Sequence, residues 1–219
     1  MIRVLLGIVL LTIVVLNANS QPKEDAANGF ELVKDKDNIF IYERWVKYPK
    51  SDPPIDAREV KGVFFVKSTF NEALGLVQND KQIKEWQSHV SKFKVYPLTD
   101  STWYEYSYHD IPWPVSDQDH FLIYRVEKRT ADSLFVTFES FEHQKLAPVD
   151  RGADRMKICG SWLFVQKPDK LKITYSIMSW PSNIPRLFTD PVIRGNMMST
   201  IKSYIKILEA PKNKKAADG

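Results

Sequence analysis

The sequence predicts an α+β fold in which one curved antiparallel β-sheet wraps around a long C-terminal α-helix and leaves an internal cavity between them. Three observations carry this expectation. Runs rich in Ile, Val, Phe, Tyr and Trp, bounded by turn residues, follow one another between Asn38 and Trp180. Pro185 can start a helix, and a final helical run from about Pro191 to Leu208 sets Ile193, Met197, Ile201, Ile205 and Leu208 along one stripe, with Lys202 and Lys206 on the other face. A helix of that length and apolarity needs a partner surface, and the concave face of a long sheet is the one available.

The elements follow in order. Asn38–Lys47 and Arg58–Lys67 read as strands separated by the turn-forming segment Pro49–Asp56. Ser68 is the expected N-cap of a helix carrying Phe70, Ala73, Leu74 and Val77 at helical spacing. A second short helix carries Ile83 and Trp86. Strands are then expected at Val90–Leu98, Thr102–Asp110, His120–Glu127, Leu134–Glu142, Lys157–Val165 and Lys172–Trp180, joined largely as hairpins. Small residues such as Gly160 and Ser161 within bulky strands help such a sheet bend. Pro112 and Pro114 bracket Trp113, pin the backbone and remove two donors, so Ile111–Asp117 is expected to be a stiff loop holding an indole at a cavity rim.

At 219 residues the chain suits one domain, expected to span 29–209. Residues 1–20 read as a signal peptide: Arg3 is the positive end, Val4–Leu16 the apolar run, and Ala18-Asn19-Ser20 the small-residue site, with cleavage before Gln21. A flexible lead-in at 21–28 and a disordered Lys-rich tail at 210–219 flank the domain. Cys159 is the single cysteine, so no intramolecular disulfide can form, which points an exported chain to a bacterial periplasm or other extracellular setting. A net charge of +4 without a clustered basic face does not support nucleic-acid binding. His89, His109, His120 and His143 lack metal-ligand spacing, and along a strand Asp119 and His120 point to opposite faces. There is no Gly-x-Ser-x-Gly elbow and no phosphate-cradling glycine loop among the eight glycines. No catalysis, cofactor or metal is therefore expected.

Stretches in sequence order carry a resemblance to a known family. They are GFELVKDKDNIFIYERWV (29–46), FNEALGLVQNDKQIKEWQ (70–87), IPWPVSDQDHFLIYR (111–125), and ICGSWLFVQKP (158–168) followed by ITYSIMSWPSNIPRLFTDPVIRG (173–195). Together they resemble the opening strand, helix pair, Pro-Trp-Pro lead into a strand, and closing strands with gripping helix of START (StAR-related lipid transfer) domains of the bacterial type. These belong to the helix-grip, or Bet v 1-like, superfamily. The chain departs from the pattern at Gln118, where many members have an Arg before the Asp; Arg125 and Arg155 are the candidates to pair with Asp119 instead. The resemblance implies non-catalytic binding, and transfer, of one lipid, sterol or other apolar molecule between sheet and helix.

On this reading the ligand-binding residues are Glu105, Tyr106, Tyr108, Trp113, Arg125, Phe138, Glu139, Cys159, Tyr175, Met178, Met197 and Ile201. Aromatic strands supply apolar walls. Glu105, Arg125, Glu139 and Arg155 supply a paired charge to orient a polar group, and the methionines adapt to flexible chains. Ile111–Asp117, Leu146–Arg155 and Trp180–Pro185 are the expected gates, and Trp113, Trp180 and Leu187 beside Arg186 the expected contact with a membrane surface. A monomer is expected. Two alternatives stand beside this reading. One is a cyclase- or dehydratase-like enzyme using Glu105 or Glu139 with His109, and the other a small-molecule sensor or protein-interaction module.

Overall fold

The computed structural model describes residues 28–48, 52–111, 113, 116–148, 152–180 and 186–211, with side chains described from 190 onward in the last segment. The expected signal peptide, nearly all of the lead-in and most of the tail lie outside the described residues.

Strands β1 (Glu31–Lys36), β2 (Ile39–Lys47) and β3 (Asp56–Val66) come first. Helices α1 (Phe70–Val77) and α2 (Ile83–Trp86) follow. Then come β4 (Val90–Thr99), β5 (Thr102–His109), β6 (Gln118–Arg129), β7 (Ser133–Ser140), the two-residue β8 (Asp154–Arg155), β9 (Ile158–Gln166) and β10 (Leu171–Ser179), and helix α3 (Arg186–Leu208) closes the chain. The sheet runs β1-β2-β3-β10-β9-β7-β6-β5-β4, with β8 added beside β6. Pairing is antiparallel throughout except for β6 with β8.

The expected strands therefore form, with ends shifted by one or two residues. The strand pattern alone had not marked β1, because it is an edge strand of mostly exposed, charged residues with little alternation. The N-cap of α1 is Thr69 rather than Ser68. Thr69 Oγ1 accepts from the Glu72 amide at 3.3 Å, and Glu72 Oε2 accepts from the Thr69 amide at 3.2 Å. That reciprocal pair satisfies two backbone donors that would otherwise be orphaned, whereas Ser68 only donates to Glu72 Oε2. Helix α3 begins at Arg186, next to the start that Pro185 offers in the sequence, so Pro191, from which the apolar run is counted, sits inside its first turns. At that depth the missing N–H removes a single intrahelical bond near the start.

Register assigns every strand residue to a face. Tyr175 lies opposite Gly62 on one side and Trp162 on the other, so these three share a face, which is the one that α3 covers. A β-carbon on Gly62 would stand 2.3 Å from Ile201 Cδ1 and 3.5 Å from Met197 Sδ, so glycine is what lets the helix settle onto β3. Met197, Met198, Ile201, Tyr204 and Leu208 are buried there, each worth roughly 1.5–3 kcal/mol of burial. Tyr204 is the centre of this contact. Its ring meets Trp86 at 5.0 Å, Trp162 at 5.6 Å and Phe64 at 6.1 Å, and its hydroxyl donates to the Ala73 carbonyl.

Gly160 is tighter still. A β-carbon would stand 2.1 Å from the Ser176 carbonyl oxygen and 2.4 Å from Phe138 Cζ. Backbone cannot yield as a flexible Ile tip can. Gly160→Ala is therefore expected to cost about 1–3 kcal/mol, and Gly62→Ala distinctly less, as read from denaturant midpoints of the two variants.

Candidate ligand-binding site

The helix-facing side of the sheet is built from alternate residues of β5, β6, β7, β9 and β10. Trp103 stacks on Tyr124 at 4.9 Å, Tyr124 meets Phe138 at 5.0 Å, Phe138 meets Tyr175 at 6.3 Å, and Tyr175 stacks on Trp162 at 4.0 Å. This aromatic row crosses the strands and ends under Tyr204 of α3. Burial raises the hydroxyls of Tyr124 and Tyr175 far above ordinary phenol values, and the neighbouring Glu105 carboxylate adds to both shifts.

One polar cluster interrupts this apolar wall. Glu105, Ser107 and His109 alternate along β5, and the register sets His120 of β6 directly across from Ser107. The Glu105 carboxylate lies 3.2 Å from His120 Nε2 and shares a hydrogen bond with the Tyr124 hydroxyl. Ser107 Oγ lies 2.9 Å from His109 Nε2, and His109 also bonds the backbone at Ser88. The two imidazoles are 5.3 Å apart. Glu105, Ser107 and His120 are buried, and His120 Nδ1 is fully enclosed without a hydrogen-bond partner among the described residues. Burial, then the adjacent His120, pushes His109 down to about 3.

A second charged group lies at the start of α3. Arg58 on β3 donates to Asp190 of α3 at 2.7 Å and to Glu43 on β2, and Arg194 of α3 reaches the same Glu43. Arg194 and Asp190 are also 3.6 Å apart, one turn from each other. Burial alone would raise the Glu43 carboxyl, but hydrogen bonds from Arg194 and Arg58 hold it below the usual range. Two cations and two anions cancel, so this network fastens the helix to β2 and β3 without leaving net charge on the helix-facing side.

Of the residues expected to touch ligand, Glu105, Phe138 and Tyr175 face the helix, and Met197 and Ile201 meet the sheet from α3. Tyr106, Tyr108, Arg125, Glu139, Cys159 and Met178 lie on the opposite face, which corrects their placement. The cause is strand parity: each stands one residue, or an odd number, away from a helix-facing neighbour. Arg125 and Glu139 pair at 2.9 Å outside the sheet, and Tyr108 donates to Asp117 at 3.0 Å. Cys159 is hydrogen-bonded with Tyr48, whose hydroxyl is pushed up to about 12, first by burial and then by Cys159. Arg155 takes the role left open by Gln118, with bonds of 2.6 and 2.8 Å to the two Asp119 oxygens, also on the outer face. Ser107 and His120 were not expected in the site. Their parity with Trp103 and Tyr124 was readable, but the β5–β6 register that joins them was not.

Loops 110–117, 141–157 and the segment from Trp180 leave the same end of the sheet, as the pairs His109–Gln118 and Ser179–Ile158 show. Trp113 is 92% exposed there, and Trp45, Phe141, Trp180 and Val192 are also exposed. Lys157 lies over the Trp180 ring at 4.9 Å. The expected gate positions 112, 114–115, 149–151 and 181–185, and the side chains of Arg186 and Leu187, lie outside the described residues. Two open hollows lined by described residues, of about 490 and 470 Å³, lie elsewhere: around Tyr104 and His143 on the outer face, and between Glu85 and Lys206.

No family model matches the chain. An uncharacterized protein of Pseudomonas aeruginosa is 22% identical over 199 residues, covering 90% of this chain and 95% of that protein. Among solved structures, the STAR-related lipid transfer protein of Xanthomonas axonopodis superposes with a TM-score of 0.69 at 24% identity, over 82% of this chain and 98% of that one. Human StAR-related lipid transfer protein 5 gives 0.66 at 16% identity, over 86% and 89% of the two chains. The Zhui aromatase/cyclase of Streptomyces gives 0.52 at 8% identity, over 70% and 94%. The fold is thus the START-type helix-grip fold, one shared by lipid-transfer proteins and by aromatase/cyclases.

The low value of His109 has a consequence for stability. Between about 3 and 6.5 the unfolded histidine holds a proton that the folded one does not. Stability is therefore full above 6.5 and falls as the pH drops through that window, by about 1.4 kcal/mol per unit. Thermal melts across this range are expected to show that slope, and His109→Gln to flatten it.

Proposed function

We propose that this START-fold chain binds one apolar molecule, non-catalytically, between the sheet and α3, and transfers it between membranes. The observation that carries the reading is the row from Trp103 to Trp162, aromatic throughout and ending under Tyr204 of α3. An acyl chain laid along such a wall gains about 0.8 kcal/mol for each CH₂ it buries. The likeness to two lipid-transfer proteins supports the same reading.

The enzyme alternative has one observation in its favour, since Glu105 and His120 face the interior as a carboxylate–imidazole pair. Glu139, the alternative acid, faces outward, whereas Glu105 and His109 both face the helix side. His109, at about 3, is too weak a base for proton abstraction near neutral pH. This last fact favours binding over chemistry.

Release needs a membrane contact, and exposed Trp113 and Trp180, the latter with Lys157 over its ring, suit the water–lipid boundary. The apolar run at 4–16 supports an exported protein, and the chain is proposed to act as a monomer.

Native mass spectrometry of the purified chain, before and after incubation with mixed-lipid vesicles, tests the reading. A one-to-one apolar adduct is expected; a chain that stays unliganded after both treatments contradicts it. Trp113→Ala is expected to slow vesicle-to-vesicle transfer several-fold while the adduct still forms, read by exchange of a fluorescent lipid.

A further inference from the structure

The face of the sheet turned away from α3 carries an aromatic cluster of its own. Tyr96 of β4 stands opposite Tyr104 of β5, and Phe121 of β6 lies between and beneath them. Phe121 is fully buried and forms a floor, with Tyr104 at 5.1 Å, His143 at 5.7 Å and Tyr96 at 6.3 Å. Phe141 stacks on Tyr104 at 5.2 Å with the planes 18° apart, yet 37% of Phe141 stays in water. Covering that ring would be favourable, and no described part of the chain does so.

The loop after β7 is held in place around this stack. The Phe141 amide donates to the Phe121 carbonyl at 2.9 Å, and the Ala147 amide donates to the His143 carbonyl at 2.9 Å. The Leu146 amide donates to His143 Nδ1 at 3.2 Å, so Nε2 carries the ring hydrogen and is itself a donor. Stack and turn together bound the open outer hollow of about 490 Å³, within the range of roughly 300–1,000 Å³ usual for small-ligand sites.

The lining narrows the class of ligand. It consists of Tyr104, Phe141, Glu142, His143, Gln144 and Lys145, and every one but Phe141 carries a polar group. The side chains of Tyr104, Glu142, Gln144 and Lys145 make no hydrogen bond with other described residues. A wholly apolar ligand would strip water from these groups and return nothing. The charges of Glu142 and Lys145 cancel, so a charged ligand gains no net attraction. A pyranose ring satisfies both halves of the hollow. Its C–H face covers aromatic rings, and its hydroxyls each donate and accept, matching a carboxylate, an amide, an ammonium, a phenol and an imidazole N–H.

We propose that this outer hollow binds a neutral saccharide, with one pyranose ring laid on Phe141 and Tyr104. The site is separate from the one under α3, because Trp103 and Tyr104 are neighbours on β5 and point to opposite faces. Sugar and apolar ligand are thus held on the two sides of one sheet, and neither site depends on the other.

Saturation-transfer NMR on the full chain, with cellotriose, maltotriose and chitotriose at about 10 mM, tests the proposal. At least one trisaccharide is expected to receive saturation at its ring C–H protons and to bind saturably. Phe141→Ala is expected to weaken that binding about tenfold, the worth of one lost ring contact. Glu142→Ala is expected to weaken it several-fold; both side chains are exposed, so both variants are expected to melt as the parent chain does. Absence of saturable binding by all three sugars overturns the proposal. Binding that is unchanged in both variants overturns it as well, and so does a proline-rich peptide that binds through Phe141 where the sugars do not.

Discussion

The burial of Met197, Met198, Ile201, Tyr204 and Leu208 of α3 is the constraint on which the rest of the molecule depends. It fixes how deep α3 lies on the sheet, and so which residues it covers. With the helix at that depth, Tyr204 fits between Trp86, Trp162 and Phe64 and donates to the Ala73 carbonyl, tying the last helix to the first two. Lys67 then donates its backbone N–H to Glu209 at 2.9 Å, closing the far end. Gly160 does the matching service within the sheet, since Phe138 lies across it and β10 passes too close for any side chain.

The two charged groups of the interior differ in kind. Glu43, Arg58, Asp190 and Arg194 complete one another across the helix–sheet seam, and such a network costs several kcal/mol to break one member at a time. It serves position. The Glu105–His120 pair joins β5 to β6 and leaves His120 Nδ1 without a hydrogen-bond partner among the described residues.

Much of the fold was legible because the strands are long, aromatic and separated by clear turns, and because the α3 stripe is periodic over several turns. What was not legible follows from pairing. Parity separates Glu105 from Tyr106 and Phe138 from Glu139, but parity alone does not say which set faces the helix. That choice depends on register: Tyr175 faces the helix because Gly62 and Trp162 flank it, partners far away in sequence. The same ambiguity placed Arg125, Cys159 and Met178 in the site when they belong to the outer face. His120 was read as a doubtful metal ligand beside Asp119, and its true neighbours are Ser107 and Glu105 on the adjacent strand. The Ser68 to Thr69 shift has a smaller cause, since either hydroxyl fits the pattern and only the reciprocal bond with Glu72 decides.

The account places ligand on the helix-facing side, and photolabelling tests that most directly. A long-chain alcohol carrying a diazirine in its acyl portion would be irradiated with the purified chain, digested, and the adducts mapped by residue. The account predicts adducts on Trp103, Phe138, Trp162, Tyr175 and the inward residues of α3. Adducts confined to Tyr106, Tyr108, Cys159 and Met178, the outer-face positions of the same strands, would contradict it.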